Sequence, residues 1–346
     1  TDKLNGNRIN KFDNEIAELE NLVSNHYKRP NLSLEKTLPL VKKAGFAGVI
    51  ICGEPDYYPR LGFKTCDNFG ITTADGKNFD AFMGYEFEEG SLSQYSGAKF
   101  YEIDIESSLT PEKVAEMAAQ RYVELLKEKP NAILGGATGS TPLLLYAELA
   151  RLNKAGEVSF AQAKSFNLDE YCDLPREHPE SYYSFMHTNL FNHIDIKEEN
   201  VHLPSSLGKD LEKNCKDYSD ALNAATVDMQ LLGIGANGHI GFNEPGTSFE
   251  SETLIVTLKE KTRQDNARFF DGDINQVPTH AITMGIKNIM NAKSVLLVAS
   301  GSNKAQAIKN LMEGPITEEF PASALNNHAG KVIVVADEEA CALLSK

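Results

Sequence analysis

From about residue 99 to its end, the chain alternates short apolar segments with longer amphipathic ones. The apolar segments predict strands at 132–136, 163–168, 227–235, 294–300 and 331–337. The amphipathic segments predict helices at 111–129, 142–156, 180–194, 213–225 and 303–314. This alternation is typical of a mostly parallel sheet that is covered by helices on both faces. The predicted fold class is therefore α/β, with a doubly wound, mostly parallel sheet.

The region before residue 99 has a different pattern. A short helix is predicted at 34–45, and strands are predicted at 48–53 and 80–88. Helical spacing of four apolar side chains predicts a helix near the start of the chain: Ile16, Leu19, Leu22 and Val23. So few strands would struggle to bury a core unaided, and we expect this region to pack against something else. The sequence thus divides into two predicted domains, 1–98 and 99–346.

The charge balance narrows the possible partners. The 346 residues include 34 Lys and Arg and 49 Asp and Glu, which gives a formal charge of −15. A chain this acidic has no general attraction for nucleic acid or for an anionic membrane. No apolar run approaches the length of a membrane span, and the first residues lack a signal-peptide core. The five cysteines are scattered and form no CxxC pair, as expected for reduced thiols in a cytoplasmic protein.

The loop after the strand at 132–136 is a candidate phosphate site. In open parallel sheets, ligands bind beyond the carboxyl ends of the strands. Thr138, Gly139, Ser140 and Thr141 lead into a helix there, with Thr141 expected as the N-cap and the next residue, a proline, as the first helical position. Hydroxyls, backbone N–H groups and the positive helix end suit an anion. The alternative is a tight strand-to-helix turn that binds nothing.

Two further strand ends carry groups suited to proton transfer. Asp169 and Glu170 follow the strand at 163–168, and a carboxylate there suits a general base; the alternative is a solvated acidic turn. The segment 233–246 formally matches GxGxxG, but its later glycines and proline break the helix that a dinucleotide site requires. We interpret it instead as a loop that presents His239 beside Glu244, a plausible proton shuttle.

Two basic residues complete the candidate site. Lys304 opens a predicted helix, where a cation is misplaced against the helix dipole unless an anion lies nearby. Arg268 is a second candidate for binding an anion. Its presence is explained equally well if it is a surface arginine whose aliphatic part covers the adjacent phenylalanines. No metal-binding motif is present, so no metal site is expected. Together the strand ends predict proton-transfer chemistry on a small phosphorylated substrate.

Five ordered motifs in the second region resemble the glucosamine-6-phosphate deaminase family. They are FNLDEYCDLPREHPESYYSFM (166–186), LLGIGANGHIGFNEPG (231–246), NARFF (266–270), VPTHAITMG (277–285) and SGSNKAQAI (300–308). The resemblance runs from about 99 to 346. It implies a cofactor-independent reaction in which glucosamine 6-phosphate and water give fructose 6-phosphate and ammonia. The implied partner is thus an amino-sugar phosphate, and an architecture shared with 6-phosphogluconolactonase is also implied.

The resemblance also implies roles for single residues. Asp169 matches the base that takes the C2 proton, and His239 matches the acid and base that opens the sugar ring. Glu244 and Asn237 match the residues that assist His239, and many members carry Asp where Asn237 stands. The implied phosphate ligands are the residues already singled out: Thr138, Gly139, Ser140, Thr141, Arg268 and Lys304.

Several alternatives stay open at this point. The substrate could be galactosamine 6-phosphate, and the chain could be an acyltransferase on an amino-sugar phosphate, a lactonase of the same fold, or a non-catalytic sugar-phosphate sensor.

Residues 252–256 read ETLIV where activated members have basic residues, so no activation by N-acetylglucosamine 6-phosphate is expected. The chain stops soon after the last predicted strand, without the longer tail of regulated hexamers, and a monomer or small homo-oligomer is expected.

The first region resembles the C-terminal half of a GNAT-type N-acetyltransferase. The matching segments are GVIICGEPDYYPRLGFKTCDNFGI (48–71) and FMGYEFEEGSL (82–92). That fold binds acetyl-CoA on an RxxGxG/A loop before the helix that here begins near Leu34, and no such loop precedes it. The resemblance therefore implies an incomplete α+β module without acetyl transfer, which serves as an appendage to the second domain.

Overall fold

A computed structural model of the chain describes residues 103–344 without a break. It also describes seven shorter stretches before them: 8–9, 16–18, 34–43, 46–52, 56–73, 78–97 and 99–100. In these ranges no helix is long and apolar enough to cross a membrane.

A seven-stranded sheet forms the centre of residues 103–344. Its strands are β1 (Ile103–Ser108), β2 (Ile133–Gly136), β3 (Lys164–Asn167), β5 (Val201–His202), β6 (Met229–Leu232), β9 (Ser294–Ala299) and β10 (Lys331–Asp337). The spatial order is β5-β3-β2-β6-β9-β10-β1, and every neighbouring pair is parallel. The predicted α/β fold with a parallel sheet is confirmed.

Seven α-helices connect these strands in the continuous stretch. They are α1 (Pro111–Glu128), α2 (Leu143–Lys154), α3 (Tyr182–Asn189), α4 (Leu211–Ala225), α5 (Glu260–Asn266), α6 (Ile286–Met290) and α7 (Ala305–Glu313). Helix α1 begins where its sequence predicts, because the Thr110 side chain accepts a hydrogen bond from Lys113 N and Pro111 occupies the first turn. Helix α3 is shorter than the predicted 180–194 and is followed by a separate short turn at Phe191–His193.

A second, antiparallel sheet of three short strands lies in the same part of the chain. It consists of β4 (Asp169–Tyr171), β8 (His280–Thr283) and β7 (Leu254–Thr257), in that spatial order. Leu168 joins the two sheets, because its N–H bonds to Gly136 O in one and its carbonyl accepts from Met284 N in the other. The chain therefore leaves the parallel sheet just before Asp169, a feature that the sequence pattern did not predict.

The core lies between the parallel sheet and its helices. Strand β10 is buried at every position after Lys331, and β9 at every position after Ser294. Leu149 of α2 and Ile308 of α7 are fully buried against this sheet. Such continuous aliphatic strands belong to a sheet that is covered on both faces, which leaves its strand ends as the place for polar groups.

The described residues before 103 form smaller units. A helix spans Leu34–Lys43, and the strand Phe82–Glu86 pairs antiparallel with Gly48–Cys52, as the sequence predicts. Helical spacing near the start of the chain wrongly predicted a helix at Ile16, because Ile16–Glu18 pairs in parallel with Gly48 to Ile50 as a strand. The other residues of that pattern, Leu19, Leu22 and Val23, lie outside the described residues.

Candidate active site

A cavity of about 270 Å³ opens at the carboxyl ends of β2 and β6 and beside β4. Eight of the ten residues singled out in the sequence line it: Thr138, Gly139, Ser140, Thr141, Asp169, His239, Arg268 and Lys304. The remaining two, Asn237 and Glu244, lie behind His239 and are hydrogen-bonded to each other. One cavity thus brings together segments that are far apart in the sequence.

The loop between β2 and α2 forms one wall of the cavity. Gly139 has a φ of +96°, a left-handed conformation that favours glycine, and a Cβ added there would meet no atom within 4 Å. The buried Tyr146 hydroxyl donates to Ala137 O at 2.5 Å and fixes the base of the loop. The expected N-cap was wrong by one residue: Pro142 occupies the cap position and Leu143 begins the helix, so Thr141 makes no capping bond. Its hydroxyl is therefore not committed to the helix end.

Lys304 reaches the cavity from the other side. It closes a short turn, Ser302–Lys304, that precedes α7, and its Nζ donates to Ile234 O at 2.7 Å. Burial lowers the pKa of Lys304. Arg268 lies on the turn Ala267–Phe269 and is exposed at the cavity wall. Two cations therefore approach the hydroxyl-rich loop, an arrangement suited to an anion.

Asp169 is the buried acid of the site. Only 6% of the residue is exposed, and the described residues place no cation in a salt bridge with it. Burial, with a smaller contribution from the neighbouring Glu170, raises the pKa of Asp169 to about 8. The alternative of a solvated acidic turn is wrong, since both carboxylates are almost fully buried.

Glu170 has a different task from its neighbour. Successive side chains of a strand point to opposite faces, and Glu170 accepts hydrogen bonds from the backbone N–H groups of Tyr171, Tyr182 and Tyr183 at 2.8–2.9 Å. It thereby satisfies donors at the first turn of α3. Burial raises the pKa of Glu170, and these three bonds oppose the rise. Of the two acids, Asp169 alone lines the cavity.

The loop after β6 holds His239 in a defined orientation. Asn237 Nδ2 donates to Glu244 Oε2 at 2.8 Å, which turns Asn237 Oδ1 towards His239 Nδ1 at 2.7 Å. An amide oxygen only accepts, so in the neutral ring Nδ1 carries the proton and Nε2 is the basic nitrogen. Lys259 Nζ lies 3.5 Å from Glu244 Oε2 and balances its charge.

Two glycines allow this loop to approach its neighbours. A Cβ at Gly235 would overlap the ring of His239, which packs directly on the backbone there. At Gly241, φ is +57°, and a Cβ would lie 3.0 Å from Thr283 Oγ1 and 3.6 Å from Asp169 Oδ2. The glycines therefore bring the imidazole loop against the strands that hold the buried acid.

Aromatic residues form the part of the cavity that the sequence did not predict. The wall includes Tyr171, Tyr182, Phe185, Phe242 and Phe270, with Glu180 and Asn266 at its polar positions. The rings of Tyr182 and Phe242 stack with centroids 6.1 Å apart. Several of these residues lie within the family motifs, yet spacing alone does not distinguish an aromatic cavity wall from a core. Across the described ranges, no group of His, Cys, Asp or Glu is placed to hold a metal ion.

Comparisons with known proteins define the class. A family model described as Glucosamine-6-phosphate isomerases/6-phosphogluconolactonase matches residues 106–334. The chain therefore belongs to the glucosamine-6-phosphate isomerase/6-phosphogluconolactonase family. Among its curated relatives, the glucosamine-6-phosphate deaminase of Lysinibacillus sphaericus is 50% identical over 226 residues, which are 65% of this chain and 95% of that relative. The deaminase of Bacillus cereus is 51% identical over 237 residues, 68% of this chain and 87% of the relative.

Solved structures place the chain in the same group. A monomeric glucosamine-6-phosphate deaminase superposes with a TM-score of 0.67 at 46% identity, covering 70% of this chain and all of that one. A 6-phosphogluconolactonase from Trypanosoma brucei has a TM-score of 0.58 at 18% identity, covering 70% of this chain and 98% of that one. The second likeness shows the shared fold alone, whereas the first agrees with the deaminase resemblance of the sequence.

Proposed function

We propose that this chain is a glucosamine-6-phosphate deaminase, which converts glucosamine 6-phosphate and water to fructose 6-phosphate and ammonia. The observation that carries the proposal is the shared cavity: a buried carboxylic acid and an oriented imidazole face a loop of hydroxyls and two cations. The relatives at about half identity bear the same name. A site that only bound a sugar phosphate would need no buried base, which argues against a sensor.

The substrate phosphate is proposed to lie between the loop 138–141 and the two cations. Arg268 and Lys304 would supply charge, and the loop would supply hydroxyl and backbone donors. The Nζ of Lys304 now donates to the Ile234 carbonyl and would exchange part of that bonding for a phosphate oxygen. Because the phosphate is remote from the reacting carbons, its binding energy orients the sugar rather than taking part in the chemistry.

Ring opening is assigned to His239. The reaction moves a proton from the anomeric hydroxyl to the ring oxygen, and a neutral imidazole can accept that proton at Nε2 and return it. Asn237 fixes the tautomer of His239, and Glu244 fixes Asn237. An uncharged Asn237 favours the imidazolium less than a carboxylate would in that place, and the nearest carboxylate oxygen of Glu244 lies 3.8 Å from His239 Nδ1.

Removal of the C2 proton is assigned to Asp169. A base in a dry site has a raised proton affinity, as the pKa of about 8 indicates. The protonated amino group of the substrate would bring a positive charge beside this carboxyl and favour its ionised form. Substrate binding would thereby ionise Asp169 and make it able to accept the C2 proton.

The reaction is tested by incubating the full chain with glucosamine 6-phosphate and measuring ammonia and fructose 6-phosphate together. Equimolar release of both products is the expected result. Parallel reactions with galactosamine 6-phosphate and 6-phosphogluconolactone distinguish the alternatives. Turnover of either compound in place of glucosamine 6-phosphate would contradict the proposed substrate. Acetyl-CoA binding, measured by calorimetry, tests the acyltransferase alternative, and no heat of binding is expected.

For the first region we retain the proposal of a GNAT-like module, but we propose that it ends slightly later than the predicted boundary between domains 1–98 and 99–346. The order helix, strand, short turn and strand supports it, as does the turn at Tyr58–Leu61 within the YYPRLGF motif. The buried clusters of this region contain described residues between 38 and 95, and the main core begins at Ile103. Since Lys99–Phe100 pairs with Thr72–Thr73, a boundary between 100 and 103 fits the proposal best.

A monomer or small homo-oligomer remains the proposed assembly, and the likeness to a monomeric deaminase supports it.

We also propose a cytoplasmic location and no allosteric activation. Glu252 pairs with Lys287 at 3.0 Å, while Leu254 and Val256 lie on β7 and have no charge to offer a phosphate. Rate curves are therefore expected to be hyperbolic with and without N-acetylglucosamine 6-phosphate. A sigmoidal curve that this compound makes hyperbolic would contradict the prediction.

A further inference from the structure

A buried threonine lies directly beside Asp169 in the antiparallel sheet. Asp169 of β4 pairs with Thr283 of β8, and the next pair along is joined by a hydrogen bond from Met284 N to Leu168 O at 2.7 Å. Hydrogen-bonded and non-hydrogen-bonded pairs alternate along an antiparallel ladder, which makes Asp169 and Thr283 a non-hydrogen-bonded pair. The side chains of such a pair share one face of the sheet, and their α-carbons are only about 4.5 Å apart.

The Thr283 hydroxyl and the Asp169 carboxyl border the same small space. Gly241 faces this space, because a Cβ built there would lie 3.0 Å from Thr283 Oγ1 and 3.6 Å from Asp169 Oδ2. The glycine therefore keeps side-chain atoms out of it. Thr283 is fully buried, so its hydroxyl has no bulk water to turn to and must find its partners within the protein.

The hydrogen bonds of Thr283 leave its hydroxyl proton weakly committed. Oγ1 accepts from Phe242 N at 3.2 Å, which attaches the imidazole loop to β8. The proton is directed to Met284 O at 3.4 Å, well beyond the usual O–H···O length of about 2.7 Å. That carbonyl already accepts from Asn243 Nδ2 at 2.9 Å, so it stays paired if the hydroxyl turns away. A hydroxyl accepts and donates at once, and Thr283 can therefore keep the Phe242 bond while it donates elsewhere.

We propose that Thr283 is a positioning residue whose hydroxyl donates to the carboxylate of Asp169 once that group is ionised, and so holds the base in place for the C2 proton. The inference rests on the proposed function only for the identity of that proton. A carboxylate gains more from a hydroxyl donor than a neutral acid does, so the bond strengthens as Asp169 loses its proton. Thr283 does not line the cavity, and it acts on the substrate only through Asp169.

Other ionisable groups surround Asp169 and remain in place when Thr283 is changed. Those with a charge to offer are its strand neighbour and four residues of the cavity wall: Glu170, Glu180, His239, Arg268 and Lys304. Burial raises the pKa of the tyrosines that interact with it, so they stay uncharged near neutral pH: Tyr146, Tyr171, Tyr182 and Tyr218. A change in the pKa of Asp169 on substitution of Thr283 is therefore assigned to the hydroxyl.

The test titrates Asp169 in the full chain by NMR of 13C-labelled aspartate carboxyls, with Asp169→Asn identifying its signal. Thr283→Val keeps the branched shape and removes the hydroxyl. It is expected to raise the pKa of Asp169 by about one pH unit, a tenfold change that matches one hydrogen bond to a charged group. Thr283→Ser returns the hydroxyl and is expected to restore the parent value.

Thr253→Val provides the matched control. Thr253 directly precedes β7 and is also buried, but its hydroxyl donates to Asn288 Oδ1 at 3.1 Å, outside the cavity lining. This variant is expected to leave the pKa of Asp169 at the parent value. A threonine hydroxyl lost elsewhere in the same part of the fold thus has no effect on the base.

Turnover gives a second readout. In Thr283→Val, kcat/KM for glucosamine 6-phosphate at pH 7 is expected to fall about tenfold, and the limb that reports the base is expected to move up by about one pH unit. Thr283→Ser and the control should stay within about twofold of the parent.

The titration requires no substrate, so it decides the role of Thr283 even if the parent fails to release ammonia from glucosamine 6-phosphate. An unchanged pKa of Asp169 in Thr283→Val would overturn the inference, as would an equal rise in Thr283→Ser. If Thr283→Val does not fold, Thr283→Ala removes the same hydroxyl and must produce the same rise.

Discussion

Two aspartates of this protein are equally buried and have opposite surroundings. Asp169, beyond the carboxyl end of β3, is 6% exposed, and Asp228, just before β6, is 5% exposed. Asp228 accepts from Lys129 Nζ and Lys293 Nζ at 2.7–2.8 Å and from Ile133 N at 2.8 Å. For Asp169, the described residues provide no salt bridge, and the neighbouring charge that raises its pKa is that of Glu170.

The contrast shows that the charged neighbours of a buried carboxyl decide whether its pKa is raised or lowered. Burial by itself raises the pKa of both carboxyls, but the two lysines and the backbone donor reverse the effect and lower the pKa of Asp228 below its ordinary value. At Asp169 nothing reverses it, and the pKa reaches about 8. Asp228 stabilises the amino end of the sheet, whereas Asp169 keeps a high proton affinity at the end where the cavity lies.

The largest expected effect belongs to Asp169→Asn. The variant keeps the shape of the side chain but cannot take a proton, so kcat/KM for glucosamine 6-phosphate is expected to fall about 1000-fold. Its free energy of unfolding is expected to equal or exceed that of the parent, because a buried carboxyl without a cation is removed. Steady-state rates and urea unfolding check both. A loss of less than about tenfold in a folded variant would contradict the role of Asp169.

The converse expectation holds for Asp228→Asn. The charged hydrogen bonds with two lysines are lost, and the free energy of unfolding at neutral pH is expected to fall by about 2 kcal/mol. Because both lysines are partly exposed to water, the loss stays below that of a fully buried pair. At a temperature where the variant is folded, kcat/KM should stay within about twofold of the parent. A large loss of activity in the folded variant would show that the two ends of the sheet are not independent.

The pH dependence of stability should differ in sign between the two sites. A carboxyl has an ordinary pKa of about 3.9, and the folded-state pKa of Asp169 is about 8. The folded protein therefore holds an extra proton between these values, and its stability falls as the pH rises through that range. Relative to the parent, Asp169→Asn is expected to gain stability from about pH 4 to about pH 8.

For Asp228 the lowered pKa reverses the argument. Its contribution to stability is present above the ordinary pKa and is lost as the pH falls through the lower folded-state value. The deficit of Asp228→Asn should therefore be full at neutral pH and shrink in acid. Urea unfolding of both variants and the parent across the range measures these differences, and parallel curves for the two variants would contradict the comparison.

A smaller change should follow from Asn237→Asp. This substitution places a second carboxylate near Glu244 and directly beside His239 Nδ1. A charged neighbour favours the imidazolium, so the pKa of His239 is expected to rise by about one unit. The limb of the kcat/KM profile that reports the imidazole should move up by the same amount. An unchanged profile would show that Asn237 does not act on the ring.

The fold was predictable where one physical rule dominates. Strands β9 and β10 are almost continuous aliphatic runs, and burial on both faces accounts for them. Strand β1 was missed because it lies at the sheet edge and only its first residue, Ile103, is buried. Strand β4 was missed because its residues, Asp169 to Tyr171, pair only with the distant β8, and local periodicity carries no sign of that partner.

Much of the candidate site was predictable because ligands of an open parallel sheet bind beyond the carboxyl ends of its strands. Polar residues after apolar strands had to meet at one edge of the sheet, which gave Thr138, Asp169, His239 and Lys304 before the structure. The bond between Tyr171 and Asn266 joins residues 95 positions apart, and neither residue is unusual in its local pattern. Likewise, only the fold separates Asp169 from Glu170, because alternation along β4 sends their side chains to different surroundings.

The most direct measurement follows the C2 proton of glucosamine 6-phosphate by NMR in D2O with the parent, Asp169→Asn and Asp228→Asn. Loss of its signal reports cleavage of the C2–H bond regardless of later steps. The parent and Asp228→Asn should remove the proton at matched rates, and Asp169→Asn should do so at least about 100-fold more slowly while still binding the sugar phosphate. Parent-like loss of the signal with Asp169→Asn would contradict the assignment of the base.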